Sequence, residues 1–405
     1  MRLHFSGILL AGCLCLSQVV KGEDWPQWRG PDHTGISKEK NWLTTWPDQG
    51  PVIAWKASVG LGFSSVVVGG GKAVTVGHAD GNDTVFCLDA LTGKELWKHT
   101  YPSELGDKYF EGGTTGTATI DGEVVYWLSR WGDLFCLSAK DGKVVWSRQL
   151  QKEGEVRIPT WGFSGAPLVQ ENMLLLNVGD SGMAVDKKTG KQIWASENKD
   201  AGYSTPLPVQ RGGKTEVLLG NGLGYVAVDP ATGKERWRMK WLTQYGVNAA
   251  DPIAVGDSFF ISSGYGKGAG LIKPVDGADP QVVWKSKVLR TQLNPAVLWG
   301  KFLYGVDGDT TEKATLKCVE AETGAEKWAE PGFGSGAVTI ADGKLIALSA
   351  IGELMTAPAS PDGFKPTARA QVLGGRCWTV PVLANGIVYC RNQKGDVVAV
   401  DLRKK

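Results

Sequence analysis

Beyond residue 22 the side chains with chemistry to offer are few: five cysteines (Cys87, Cys136, Cys318, Cys377, Cys390), three histidines (His33, His78, His99) and two Asp-Gly clusters. The histidines are scattered without metal-ligand spacing. Asp307-Gly308-Asp309-Thr310-Thr311-Glu312 and Asp80-Gly81-Asn82-Asp83 offer the oxygens calcium takes. Neither has the alternating donors and distant Glu of a calcium loop, and Gly-Asp clusters favour turns, so both read as turns. Thr-Gly-Lys and Asp-Gly-Lys recur, but no helix follows them, so they are not phosphate loops. No Gly-x-Ser-x-Gly elbow anchors a hydrolase triad. The expectation is no catalytic residue and no metal site. What remains is a set of aromatic and arginine residues between the apolar runs: Tyr109, Phe110, Arg157, Trp161, Tyr203, Tyr245, Phe333, Arg376 and Trp378. Such residues are enriched where proteins bind partners, and loops on a rigid scaffold often carry function.

The composition removes several classes. Of 405 residues, 42% are hydrophobic and 21% charged, as in a folded soluble chain rather than a disordered one. A balance of 44 Lys+Arg against 42 Asp+Glu leaves no basic footprint for nucleic acid. The 55 glycines follow no Gly-X-Y period, which excludes collagen. Residues 1–22 read as an export signal: Arg2, an apolar stretch from about Ile8 to Val20, then Gly22. The chain is therefore expected outside the cytoplasm, periplasmic or secreted. Leu10-Ala11-Gly12-Cys13 also resembles a lipobox, which would make Cys13 a lipid anchor.

The elements that must hold these residues come from one unit written eight times. Asp89-Ala90-Leu91-Thr92-Gly93-Lys94-Glu95-Leu96-Trp97 recurs, more or less worn, up to Trp146, Trp194, Trp237, Trp284 and Trp328, with spacings of 43 to 49 residues. That period matches a four-stranded propeller blade. Hairpin turns such as Asp121-Gly122 and Asn385-Gly386 punctuate short apolar runs with no helical period. The last unit, Val397 to Asp401, stops before a fourth strand, while Pro51 to Lys56 with Trp55 supplies one at the other end. The expected fold is thus all-β, an eight-bladed propeller over residues 51–405 closed by its N-terminal strand. The unit around Met355 to Val372 has lost its Trp and is expected to be the weakest blade. Three of the five cysteines share one repeat position, which favours buried core thiols over a disulfide framework.

The signature Asp-x-x-Thr-Gly-Lys-x-x-Trp, with Ala or Cys two residues before the Asp, resembles the tryptophan-docking repeat of pyrroloquinoline-quinone (PQQ) dehydrogenases and their non-enzymatic, BamB-type relatives. The resemblance implies that Trp55, Trp97, Trp146, Trp194, Trp237, Trp284 and Trp328 pack between adjacent blades. For the enzymes it also implies adjacent cysteines beside the quinone, an acidic and amide cluster holding Ca²⁺, and an Asp base. No two cysteines past residue 22 are adjacent, and the loops are short. Neither PQQ nor Ca²⁺ is expected. The reading is a monomeric, non-catalytic binding scaffold for envelope proteins, its binding face built from Tyr109, Arg157, Trp161, Tyr203, Tyr245, Arg376 and Trp378. The alternative is a quinone-dependent dehydrogenase or a small-ligand or sugar binder using the central pocket. Residues 23–50, opening Asp24-Trp25-Pro26-Gln27-Trp28-Arg29-Gly30-Pro31, read as a strap whose indoles pin it to the propeller while Arg29 anchors a carboxylate. Docking a partner is the strap's other reading.

Overall fold

The structure is a computed structural model that describes residues 22–154, 156–198, 200–310 and 313–404. Residues 1–21 of the expected export signal, Cys13 among them, lie outside the described residues, as do Thr311 and Glu312 of the second Asp-Gly cluster. Among the described residues, no helix is long and apolar enough to cross a membrane.

Eight antiparallel sheets follow one another around a ring. Blades 1 to 7 occupy residues 67–102, 119–149, 168–195, 207–240, 253–286, 297–330 and 337–371. Blade 8 takes three strands from 382–401 and its outermost from Val52–Ser58, which pairs antiparallel with Asp396–Asp401 and closes the ring. Side-chain period explains why the middle strands read as unbroken apolar runs. In blade 3, Leu174 and Leu176 pack toward blade 2, while Met173 and Leu175 pack toward blade 4. A strand buried on both faces has no polar side to show. Cores of this kind fill all eight interfaces. The cysteines Cys87, Cys136, Cys318, Cys377 and Cys390 are buried and unpaired in them.

The repeat signature builds the outer contacts. Asp89 Oδ1 accepts from the Leu91 and Thr92 amides and the Thr92 hydroxyl, closing the turn that carries Gly93. Gly93, Gly142, Gly190, Gly233 and Gly324 all have φ between 70° and 72°. A Cβ at Gly142 would lie 2.5 Å from the Trp97 ring. Only glycine meets both demands, left-handed backbone and an indole face against it. The ring nitrogens of Trp55, Trp97, Trp146, Trp194, Trp284 and Trp328 each donate to a carbonyl in the turn of the next blade, at 2.8–3.1 Å. Trp237 is placed differently. The blade 5 unit is worn at Asp276-Gly277, and Trp237 Nε1 donates to Glu216 Oε2 in its own blade while the ring stacks on Phe259.

The strap runs across the face bearing the first hairpin turns. Trp25 exchanges two 2.8 Å backbone bonds with Val68 in blade 1, and Pro26 O accepts from Ile120 in blade 2. Ile36–Ser37 adds a parallel strand to Ala337–Ala341, the first strand of blade 7. Trp42 is buried between blades 7 and 8, and Trp46 Nε1 donates to Arg369 O on the outer strand of blade 7. The strap thus brings indoles to the blade whose own unit lacks one. Arg29 ends on the carbonyls of His33, Thr34 and Ala296, not on a carboxylate. It is the neighbouring Trp28 that reaches one, donating to Asp251 Oδ2 at 2.6 Å.

Candidate functional site

The first strands of successive blades converge on the axis: Thr119 Oγ1 donates to Pro167 O and Thr339 Oγ1 to Pro381 O. With the strap across one end, the axis is left as a cavity of about 780 Å³. Trp28 lines it from the strap, and the loops that lead into the first strands of blades 1 to 6 and 8 supply its mouth.

Those loops carry rings in two runs. Trp378 stacks on Phe63 at 5.0 Å between centroids, and Phe63 meets Phe110 at 5.9 Å. Next to Phe110 in sequence, Tyr109 meets Trp161 at 5.6 Å; Trp161 meets Tyr203 and Tyr245, and Tyr245 lies edge-on to Tyr265 at 5.3 Å. Tyr245 and Tyr265 have left-handed backbones, φ 66° and 50°. Bulky side chains rarely adopt that region, and such strain clusters at functional sites. On the blade 6 side the wall carries Gln292, Asn294 and Thr310 instead of rings. Asn294 Nδ2 donates to Trp378 O at 2.8 Å, linking the two sides.

Three acidic or basic side chains line the cavity, each with a protein partner, although Glu111 Oε2 is buried with no hydrogen-bond partner among the described residues. Arg376 pairs with Glu111 and lies over the Trp378 ring. Asp251 accepts from Trp28 Nε1 at 2.6 Å and from the Thr205 amide at 2.7 Å. Burial pushes the Asp251 carboxyl up to about 6, against the opposing pull of Arg29 and these hydrogen bonds.

Of the residues expected at the binding face, Tyr109, Trp161, Tyr203, Arg376 and Trp378 line the cavity and Tyr245 stands at its rim against Trp161. Arg157 lies apart, in an exposed pair with Asp200. Phe333 is buried in the core between blades 6 and 7. Phe63, Tyr265, Glu111, Asp251 and Trp28 were not foreseen as cavity residues. Phe63 was findable, because Gly60-Leu61-Gly62-Phe63 leads into a first strand just as the other loops do. Tyr265 sits in a different turn, between the second and third strands of blade 5, where the repeat carries no aromatic signal.

The first Asp-Gly cluster begins as a turn; in the second, Asp307 ends the second strand of blade 6, and Thr311 and Glu312 lie outside the described residues. Asp80 and Gly81, φ 51° and 73°, join the second and third strands of blade 1. Asp83 is bonded by His78 Nδ1 at 2.8 Å and by Ser103 Oγ at 2.9 Å, beside a cavity of about 670 Å³. The serine donates to the carboxylate rather than to the imidazole, so the three groups do not form a Ser-His-Asp relay. Asp307 is buried, yet Arg290 and Lys317 hold its carboxyl down to about 2. Among the described residues, no group of three His, Cys, Asp or Glu is placed to hold a metal. PQQ carries three carboxylates; the cation on the cavity lining is Arg376, and it is paired with Glu111.

The sequence profile described as outer membrane protein assembly factor BamB matches residues 81–330. A BamB from Burkholderia pseudomallei is 32% identical over 209 residues, which is 49% of this chain and 48% of that protein. A quinoprotein ethanol dehydrogenase from Pseudomonas aeruginosa is 28% identical over 179 residues, 40% of this chain and 28% of that one. The matched segments thus span half or less of these relatives' own length. Among solved structures, BamB from Moraxella catarrhalis superposes with a TM-score of 0.60 at 16% identity, covering 87% of this chain and 99% of that one. Quinohemoprotein alcohol dehydrogenase from Comamonas testosteroni gives 0.70 at 14% identity, covering 94% and 81%. At such identities the superpositions speak for the fold alone. An eight-bladed propeller carrying this repeat, and a profile match over more than half of its length, place the chain in the BamB family.

Proposed function

We propose that this chain is an exported, non-catalytic propeller that binds proteins of the cell envelope through the ringed mouth of its central cavity. The observation that carries the reading is the one-sidedness of the axis. The strap covers one end, while consecutive loops bring Trp378, Phe63, Tyr109, Trp161 and Tyr245 to the other. Tyr109 and Tyr245 are 56% and 65% exposed, so ring surface is spent where the fold gains little from it. Kinship with an outer membrane protein assembly factor supports a partner among assembly proteins. A quinone-dependent dehydrogenase is the competing reading, favoured by the ligand-sized cavity and opposed by its lining.

A photo-crosslinking residue placed at Tyr109 or Tyr245 of the full chain, in cells that express it, tests the proposal. Adducts with outer membrane assembly proteins are expected from both mouth positions and not from Val145, an exposed outer-edge site. Adducts from Val145 alone, or none from the mouth, would overturn it.

A further inference from the structure

We infer that the central cavity binds a short neutral saccharide. The inference takes from the proposed function only that the mouth is the working face. A volume of about 780 Å³ lies within the range of pockets that enclose small ligands. Its two ring runs present flat apolar faces of the kind that stack against the C–H faces of a pyranose. Facing them, Gln292 and Thr310 offer neutral donors and acceptors, and Asn294, whose Nδ2 already donates to Gly336 O and Trp378 O, offers its Oδ1 as an acceptor. Deeper in the lining, Ser65 is 2% exposed and its hydroxyl has no hydrogen-bond partner among the described residues. A buried hydroxyl left unpaired is unfavourable, and a ligand hydroxyl can relieve it.

Charge narrows the class further. Arg376 and Glu111 neutralise each other, and both Asp251 oxygens accept bonds from the protein. An anionic ligand would meet a cation already paired with Glu111, and Glu111 Oε2, buried with no hydrogen-bond partner among the described residues, is open to a ligand hydroxyl. Stacking faces combined with neutral hydrogen-bonding groups suit a polyhydroxylated ring. Tyr245 points the same way. It holds φ 66° while 65% exposed, so its backbone strain is not offset by burial.

The full exported chain, titrated with maltotriose, cellotriose and triacetylchitotriose, provides the test through tryptophan fluorescence and calorimetry. At least one trisaccharide is expected to saturate the signal, and Trp161→Ala to weaken binding by about tenfold or more. Tyr245→Asn, a residue that tolerates left-handed backbone, should melt no lower than the parent and still bind about tenfold more weakly. Val145→Ala should bind like the parent. The inference fails if no trisaccharide binds at about 10 mM, if binding ignores Trp161 and Tyr245, or if PQQ or choline competes the sugar off. Failure here with mouth crosslinks intact would leave the scaffold reading standing. Sugar binding without such crosslinks would remove the scaffold reading instead.

Discussion

Asp251 sits where burial, a nearby cation and two hydrogen bonds act on one carboxyl. It titrates near 3.8 in an unfolded chain and about 6 in the fold, so between those values the folded state holds the extra proton. Its contribution to stability is therefore fully present below the lower value and declines as pH rises through the higher one. Two pKa units amount to about 3 kcal/mol. In denaturant unfolding followed from pH 4 to pH 7 (about the span of these two values), the parent chain is expected to lose up to that much relative to Asp251→Asn. Parallel curves would show that Asp251 does not titrate as described. None of this was legible in the sequence, where Ala249-Ala250-Asp251 is an ordinary loop. Its burial depends on Trp28, 223 positions away.

At the scale of the blade, the turn glycines offer an internal comparison. Gly142 and Gly277 have φ 70° and 75°, so alanine at either pays for left-handed backbone. A Cβ at Gly142 collides with Trp97, whereas one at Gly277 meets nothing within 4 Å. Gly277→Ala is expected to cost about 1 kcal/mol and Gly142→Ala about 2 kcal/mol more, read from denaturation midpoints. Equal costs would mean that the indole does not dock as described. This element was largely readable in advance, because its turn, glycine and Trp are all local. Trp237 departs from the pattern because docking depends on the next blade's turn, and that turn is worn.

For the whole molecule the vulnerable point is the closure between blades 8 and 1. Besides the shared sheet, Arg391 crosses it with donors to Ser64 O, Thr75 Oγ1 and Val76 O, each at 2.7 Å. Its burial without a carboxylate partner pulls the guanidinium down to about 9. Arg391→Met is expected to destabilise the chain by about 3 kcal/mol, since it strands buried carbonyls. Hydrogen exchange should accelerate first at Val397–Asp401 and leave blades 3 and 4 nearly unchanged. Uniform acceleration would show that the ring opens nowhere in particular.

What the sequence determined by itself is the architecture: eight blades, their turns, the N-terminal strand that completes the last one, and most of the docking tryptophans. A propeller repeat reports itself because each blade is built from contacts within one unit and with the next. The same logic placed most of the mouth residues, since loops at equivalent repeat positions must share a face. Tertiary structure alone decided which of them meet. It sent Phe333 into the core and Arg157 to an outlying pair, and it brought in Tyr265, Glu111 and Asp251. It also turned the strap inward, so that Trp28 lines the axial cavity. Those outcomes depend on contacts across the ring and along the axis, between residues no period relates, and such contacts exist only once the ring is closed.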